Sequence, residues 1–435
     1  MGRVRPACHL PRLVPLALAA ATGLTTLVPM GLVSADAAAP ARRIVHSQWD
    51  TNDELAQGRT RGVSVTDGGL RLTDPVGVRG DFEYGTWESP WVAPGFTLTE
   101  LVPSWHGETP GASWIKVEVR GRTSDRTSSW DTVADWSLDD REHTRRSSSD
   151  SQTDDRGRTA YDTWITSGVK AWQVRVTLLR RTGGTAKPTL STVGAMASTL
   201  PNVSSVSTST PGAGARAALG RTLAVPSYSQ MVHKGTYPEY DGGGEAWCSP
   251  TSTTMVLDYY DALPPTRQYR WVRQDYPDRV VAHVARMPYD DAFGGTGNWP
   301  FNTAYAASRV GSGEGGAFVT RLRSLAEAER FIAAGVPLIA SITFGSGELS
   351  GAPISTTNGH LLVVVGFTKD GDVVVNDPAA ASRAGVRRTY DRGQFEDAWL
   401  RRSGSGTSMR GSGGLVYVIH DAAHPLPPRG DNRNW

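Results

Sequence analysis

The sequence predicts a multidomain protein, an N-terminal all-β sandwich followed by an α+β domain. Three observations predict it. Period-two alternation runs through residues 42–198, helical spacing first occurs beyond residue 222, and a Pro/Ser/Thr/Gly/Ala stretch at 199–221 separates the two. At 435 residues the chain is long for one ordinary domain. Its 39% hydrophobic content and 48 glycines fit a globular protein, and exclude a wholly disordered chain, a collagen and a polytopic membrane protein.

The first residues come before either domain. Arg3, Arg5 and Arg12 precede an apolar run from Leu13 to Val33, and Ala35-Asp36-Ala37 is a small-x-small exit. This is the pattern of a secretory signal peptide over 1–37, and Pro15 and Pro29 argue against a membrane span. The expected mature protein is therefore secreted, with no transmembrane domain after cleavage. Cleavage removes three arginines and one aspartate, which turns a net charge of +2 into zero. Nothing then marks a nucleic-acid partner. Cys8 leaves too, so the mature chain carries one cysteine, Cys248. One thiol excludes an internal disulfide and a thiolate-based zinc site, and in an oxidising compartment it is a liability unless buried or used.

Within the first domain, Val63 and Val65 lead into Asp67-Gly68-Gly69 and Leu70 and Leu72 lead out, a hairpin pattern. Ile115, Val117 and Val119 alternate with polar residues, as do Trp172, Val174, Val176 and Leu178. Nine of the 14 tryptophans lie here. Most are expected in the sandwich core, but Trp114 falls on the polar side of its strand, where a ring can stack on a surface glycan. Residues 123–158 read as a long polar loop, in which Asp150, Asp154 and Asp155 are a calcium alternative without EF-hand spacing.

In the second domain, over 222–420, Pro250–Asp261 reads as a helix with Met255/Tyr259 and Val256/Tyr260 at i,i+4. Ser324–Ala334 reads as another, with Ser324 and Glu327 forming a capping box and Gly335 ending it. His360–Phe367 and Asp372–Asn376 are β-branched strands of a hairpin turning at Asp370-Gly371, and Leu415–Ile419 is a last strand. The Pro-rich tail at 421–435 is expected to be disordered.

The chemistry gathers around Cys248. A glycine run, Gly242-Gly243-Gly244, leads to it, and Pro250 opens the helix behind it. A thiol at a helix N-terminus meets free N–H groups and the positive end of the dipole, which favour the thiolate nucleophile. His360 starts one hairpin strand and Asp377 follows the other, an odd number of positions away. An even-numbered loop would then put both side chains on one face of the sheet, His360 to take the thiol proton and Asp377 to orient the imidazole. Gln230 lies upstream, and its amide N–H suits an oxyanion. Trp247 and Trp299 are candidate substrate-binding residues. His233 and His283 are rival histidines that lack such an acidic partner. Gly294-Gly295-Thr296-Gly297 and the run at 311–316 read as loops around the cleft, since neither has a phosphate-binding ending. No HExxH or CxxC occurs, and no metal or cofactor is expected.

Four motifs carry a resemblance: VPSYSQ at 225–230, WCSPTS at 247–252, NGHLLVVVGF at 358–367 and VNDP at 375–378. In this order they resemble papain-like cysteine peptidases, and more closely the secreted bacterial relatives of the bacteriocin-processing (double-glycine leader) peptidases. The resemblance implies a papain-like α+β fold with Cys248, His360 and Asp377 as a triad and Gln230 as oxyanion donor. Position 249 is Ser, where this family often has Gly. The chain lacks the transporter domains of some members, so leader processing is not implied. The expected activity is hydrolysis of a peptide or related amide bond. Two other readings remain, a cell-wall amidase or endopeptidase acting on peptidoglycan stem peptides, and a non-catalytic carbohydrate-binding adhesin.

Overall fold

The structure is a computed structural model that describes residues 41–138, 146–150, 155, 157–311, 314–404, 410–429, 431 and 433–435. The signal-peptide reading of 1–37, Asp154 of the acidic trio and part of the glycine run at 311–316 lie outside the described residues.

The alternation of the first half becomes strands. They are β1 (Arg43–Trp49), β2 (Arg59–Arg61), β3 (Val63–Thr66), β4 (Gly69–Leu72), β5 (Gly77–Arg79), β6 (Phe82–Glu88) and β7 (Leu98–Glu108). β8 (Ser113–Arg122), β9 (Asp131–Trp136), β10 (Ser147–Ser148), β11 (Gly157–Ala160), β12 (Thr163–Val169), β13 (Ala171–Arg181) and β14 (Thr189–Thr199) follow. One short helix, α1 (Asn52–Leu55), interrupts them behind a Thr51–Glu54 capping box. Among the described residues they form two seven-stranded sheets. One runs β11-β12-β7-β14-β4-β3 with β1 on β14, the other β10-β9-β8-β13-β6-β2 with β5 on β6. The Gly68-Gly69 hairpin forms as expected, with Val63 opposite Leu72 and both glycines at positive φ.

Tryptophans join the two sheets. Trp49 of β1 meets Trp87 of β6 and Trp172 of β13 edge-on, at 5.5 and 6.0 Å, and Trp105 of β7 meets Trp136 of β9 at 6.1 Å. Two expectations fail here. Trp114 is buried, because Phe82 closes on its ring edge-on at 5.9 Å and the Lys116 ammonium lies over it. The polar stretch 123–158 is not one loop, since β9, β10 and the start of β11 lie in it. Buried Asp131, which made the segment look polar, takes the Trp164 indole N–H at 2.5 Å and so sits inside without an orphaned oxygen at that atom.

The second region alternates helix and strand: α2 (Cys248–Tyr259), α3 (Arg279–Arg286), α4 (Trp299–Val310), β15 (Gly316–Arg321) and α5 (Leu325–Ala334). It continues with β16 (Leu338–Phe344), β17 (Thr357–Phe367), β18 (Val373–Asn376), β19 (Arg387–Tyr390), α6 (Arg392–Leu400) and β20 (Leu415–His420). A six-stranded antiparallel sheet, β15-β20-β16-β17-β18-β19, is its centre. α2 packs on β17, α4 on β15 and β20, and α6 on β16. The capping box expected at Ser324 does not form. The Ser324 side chain makes no capping bond, as the Glu327 N–H donates to Ser324 O, and the Glu327 carboxylate is taken by the backbone N–H and guanidinium of Arg323. Gly335 does end α5, in the left-handed conformation.

The described residues form one compact unit. Phe301 of α4 meets Trp105 and Trp136 at 6.1 and 5.1 Å. Buried Glu100 of β7 faces Arg321 of β15 at 2.9 Å and also pairs with Arg402. The stretch 199–221 is tied down along its length: Ser209 N donates to Glu396, and the N–H groups of Gly212 and Gly214 donate to Glu329. The tail is not disordered where it is described. Trp435 is buried against Phe331 with ring centroids 5.0 Å apart, and Asn434 donates to Arg321 O and Glu327. An indole at the chain end removes enough apolar surface from water to order the prolines before it. Among the described residues no helix is long and apolar enough to cross a membrane.

Candidate active site

The glycine run before Cys248 is required by shape. Gly242 and Gly243 take φ of 77° and 119°, and a Cβ on Gly244 would stand 2.4 Å from Gln230 O. The chain therefore turns tightly into α2, whose first residue is Cys248. Trp247, the residue before the helix, gives no side-chain cap. The first-turn N–H groups are left for another acceptor, and Pro250 in that turn has none to orphan. The helix is fixed to the sheet by its own hydroxyls. Ser252 Oγ donates to Leu361 O at 3.1 Å, and Ser249 Oγ lies 2.9 Å from the Tyr417 hydroxyl on β20. Ser249 thus points into the core, away from any substrate. Cys248 and Ser252 share a helix face one turn apart, so the bond to Leu361 brings the sulfur beside His360. Cys248 is half-buried and unbridged.

His360 and Asp377 meet, but not through the even-numbered loop that the sequence reading required. The hairpin loop Thr368–Asp372 has an odd residue count, and the register next to it pairs Phe367 with Val373. Continued unchanged, that register would send the two side chains to opposite faces. Val365 is an extra, unpaired residue: Gly366 faces Val374 while Val364 faces Val375. This bulge shifts the register by one and restores a common face. Gly366 beside it lets the Arg221 backbone approach, since a Cβ there would lie 2.2 Å from Arg221 O. The result is a His360 Nε2–Asp377 Oδ1 bond of 2.8 Å in a nearly solvent-free setting.

Asp377 is held on both oxygens. Oδ1 also accepts from Ala379 N at 3.0 Å, and Oδ2 accepts from the Tyr390 hydroxyl at 2.7 Å. Burial by itself would raise this carboxyl, but His360, Tyr390 and the Ala379 N–H together hold it below the usual carboxylate range. Burial likewise opposes a charged His360, yet Asp377 and then the hydrogen-bonded Cys248 thiol raise the ring to about 10. The two shifts agree in sense: the pair is ionic, with a proton on the imidazole. Nε2 is committed to Asp377, which leaves Nδ1 for the sulfur.

Gln230 arrives from the other side. Its backbone N–H donates to Pro378 O at 2.9 Å, next to Asp377, and its Nε2 donates to Glu245 O at 2.7 Å, in the turn before Cys248. One Nε2–H remains. Asn376 ties the same segment to β18 through Val225 O and Pro226 O. The expected substrate role of Trp247 is corrected: the ring is wholly buried and its indole N–H donates to Tyr240 O at 2.7 Å. Trp299 is half-buried at the first position of α4. The rival histidines stand elsewhere, His233 against Trp247 and His283 taking the Trp271 indole N–H. Among the described residues no group of three or more His, Cys, Asp or Glu is placed to hold a metal.

Residues 45–198 match the Peptidase C39 N-terminal domain, and residues 222–407 match the Peptidase C39-like family. The chain belongs to the peptidase C39-like family. It is a papain-like, cysteine-type peptidase hydrolase, with an all-β region ahead of the α+β one. No individual curated protein matches it. In this C39-like peptidase the sequence reading missed Tyr390. It is a lone aromatic on a short third strand, whose distance from Asp377 depends on the β18–β19 pairing, with Val373 opposite Tyr390.

Tyr390→Phe is expected to cut kcat about tenfold, the rate equivalent of one hydrogen bond to a charged group. The bond favours the ionised carboxylate, so its loss lets Asp377 protonate at higher pH. The acidic limb of the pH–rate profile should move upward, and an unmoved limb would refute the role.

Proposed function

We propose that this C39-like peptidase hydrolyses peptide bonds through a Cys248–His360–Asp377 triad with Gln230 as oxyanion donor. The observation that carries the reading is the 2.8 Å His360–Asp377 bond with the Cys248 thiol on the same imidazole. The thiol gives its proton to His360 Nδ1, so that the resting pair is thiolate and imidazolium, and the sulfur attacks the scissile carbonyl carbon. The oxygen of the tetrahedral intermediate takes the free Gln230 Nε2–H and the Cys248 backbone N–H. The imidazolium returns its proton to the leaving amine, and a thioester remains. Water then attacks, again with His360 as base, and frees the acid and the thiol.

The two tryptophan-linked sheets we read as a β-sandwich braced against the peptidase. The half-exposed Trp91 and Trp130 are poor sugar platforms. Arg120 and Arg175 each lie 4.3 Å from the Trp130 ring centre, and Arg122 lies 4.5 Å from that of Trp91. The basic, apolar and small-residue order of 1–37 supports action outside the cell after its removal.

Alkylation by iodoacetamide tests the triad, because Cys248 is the one cysteine beyond residue 37. At pH 6 an ordinary thiol, with a pKa of about 8.5, is almost all protonated. Fast labelling of the wild type at that pH, slowed at least tenfold in His360→Ala, is the expected result. Equal rates would sink the proposal.

A further inference from the structure

The single turn of 3-10 helix at Gln230–His233 carries a buried histidine that the proposed reaction does not use. His233 has no exposure, and neither ring nitrogen has a hydrogen-bond partner among the described residues. Two neighbouring buried polar atoms share that condition, Gln230 Oε1 and the Tyr276 hydroxyl. Such atoms inside a protein are regularly bridged by ordered water.

Their geometry is specific. Side chains at i and i+3 of a 3-10 helix eclipse one another, so Gln230 and His233 project from one face of the turn. The His233 ring lies 5.8 Å from that of Trp247, the residue before Cys248, and 5.2 Å from that of Tyr276. Gly244 is bare on the same side, where a Cβ would fall 2.5 Å from His233 Cβ. Burial pushes His233 down to about 4, against a weaker pull from Asp278, so at neutral pH the ring is uncharged. A neutral imidazole has one donor and one acceptor. The ring thus offers one donor, for Gln230 Oε1, and one acceptor, for the Tyr276 phenol, each across an ordered water.

We propose that His233 is a positioning residue for the oxyanion site, donating through an ordered water to Gln230 Oε1 while Tyr276 fixes its tautomer. Gln230 is thereby held at both ends, Nε2 on Glu245 O and Oε1 on the relay. The remaining Nε2–H is fixed toward the tetrahedral oxygen, and donation to Oε1 polarises it further. This inference rests on the reading of Gln230 as oxyanion donor.

Two probes separate the role from mere packing. The burst of 4-nitrophenol from 4-nitrophenyl acetate reads acylation of Cys248, which passes through an oxyanion. Iodoacetamide alkylation reads the same sulfur with no oxyanion. His233→Phe keeps the ring volume and removes the hydrogen bonds. It is expected to slow the burst about 10- to 100-fold and leave alkylation unchanged, while His233→Gln recovers most of the burst rate. In a Gln230→Ala background His233→Phe should cost nothing further. An unaffected burst, equal slowing of both probes or additive losses would each overturn the proposal. If His233→Phe does not fold, Tyr276→Phe must still slow acylation alone, and an unchanged burst overturns the relay. A wild type with no Cys248-dependent burst overturns the parent reading instead.

Discussion

Cys248→Ala is expected to lower peptide hydrolysis by about 10⁶-fold, and His360→Ala by a similar factor, with no further loss in the double variant. In the proposed mechanism nucleophile and base act as one unit, so removing either removes the whole covalent route. The half-buried sulfur fills little of the core, and the melting temperature of Cys248→Ala should barely move. Substantial hydrolysis by purified Cys248→Ala would exclude the thiol mechanism outright.

The same ion pair sets a pH window. His360 is raised from its ordinary value to about 10, so its contribution to stability is complete below pH 6.5 and is lost as pH rises through about 10. Asp377 is lowered, so its contribution is present above its ordinary value near 3.8 and is lost as pH falls through the depressed one. Unfolding measured across pH should therefore show the pair's full contribution between about 4 and about 6.5, declining to nothing by about pH 10. His360→Ala should flatten the alkaline side.

The second large effect concerns stability. Glu100→Ala is expected to cost about 3–5 kcal/mol, because it strands Arg321. That guanidinium is almost fully buried, keeps Ser198 Oγ at 2.7 Å, Ser412 O at 2.9 Å and the Met196 sulfur as acceptors among the described residues, and stands among other arginines. Burial and the guanidinium groups of Arg321, Arg402 and Arg323 already lower Arg42 to about 10. Without Glu100 the joint between β7 and β15 loses the carboxylate that pairs with both Arg321 and Arg402. Urea unfolding should show a lower midpoint in one transition, whereas an unchanged midpoint would mean the cluster relaxes into water.

Much of the site was legible in order along the chain. Glycines that take positive φ, a cysteine opening a helix, and a histidine and an aspartate bracketing a β-branched hairpin are local signals, each set by short-range sterics and hydrogen bonding. The first strands read equally well, because burial of one sheet face imposes period two on residues such as Ile115, Val117 and Val119. The failures share another cause. Trp247 looked available and is core, Trp114 looked exposed and is covered, and the polar tail ends in a buried indole. Each depends on which distant surface closes over the residue, and composition carries no such information.

The hairpin marks the boundary most clearly. Residue types and spacing by themselves placed a cysteine at a helix start and a histidine and an acid at the ends of two hairpin strands. Parity alone, with an odd loop, would have parted His360 from Asp377. The fold inserts Val365 as an unpaired residue, where Gly366 lets the Arg221–Thr222 backbone press against the strand, and that one-residue shift brings the pair together. Tyr390 and Ser252 enter the site the same way, through pairings between segments far apart in sequence. Such contacts arise from packing the whole chain at once, so no local pattern specifies them.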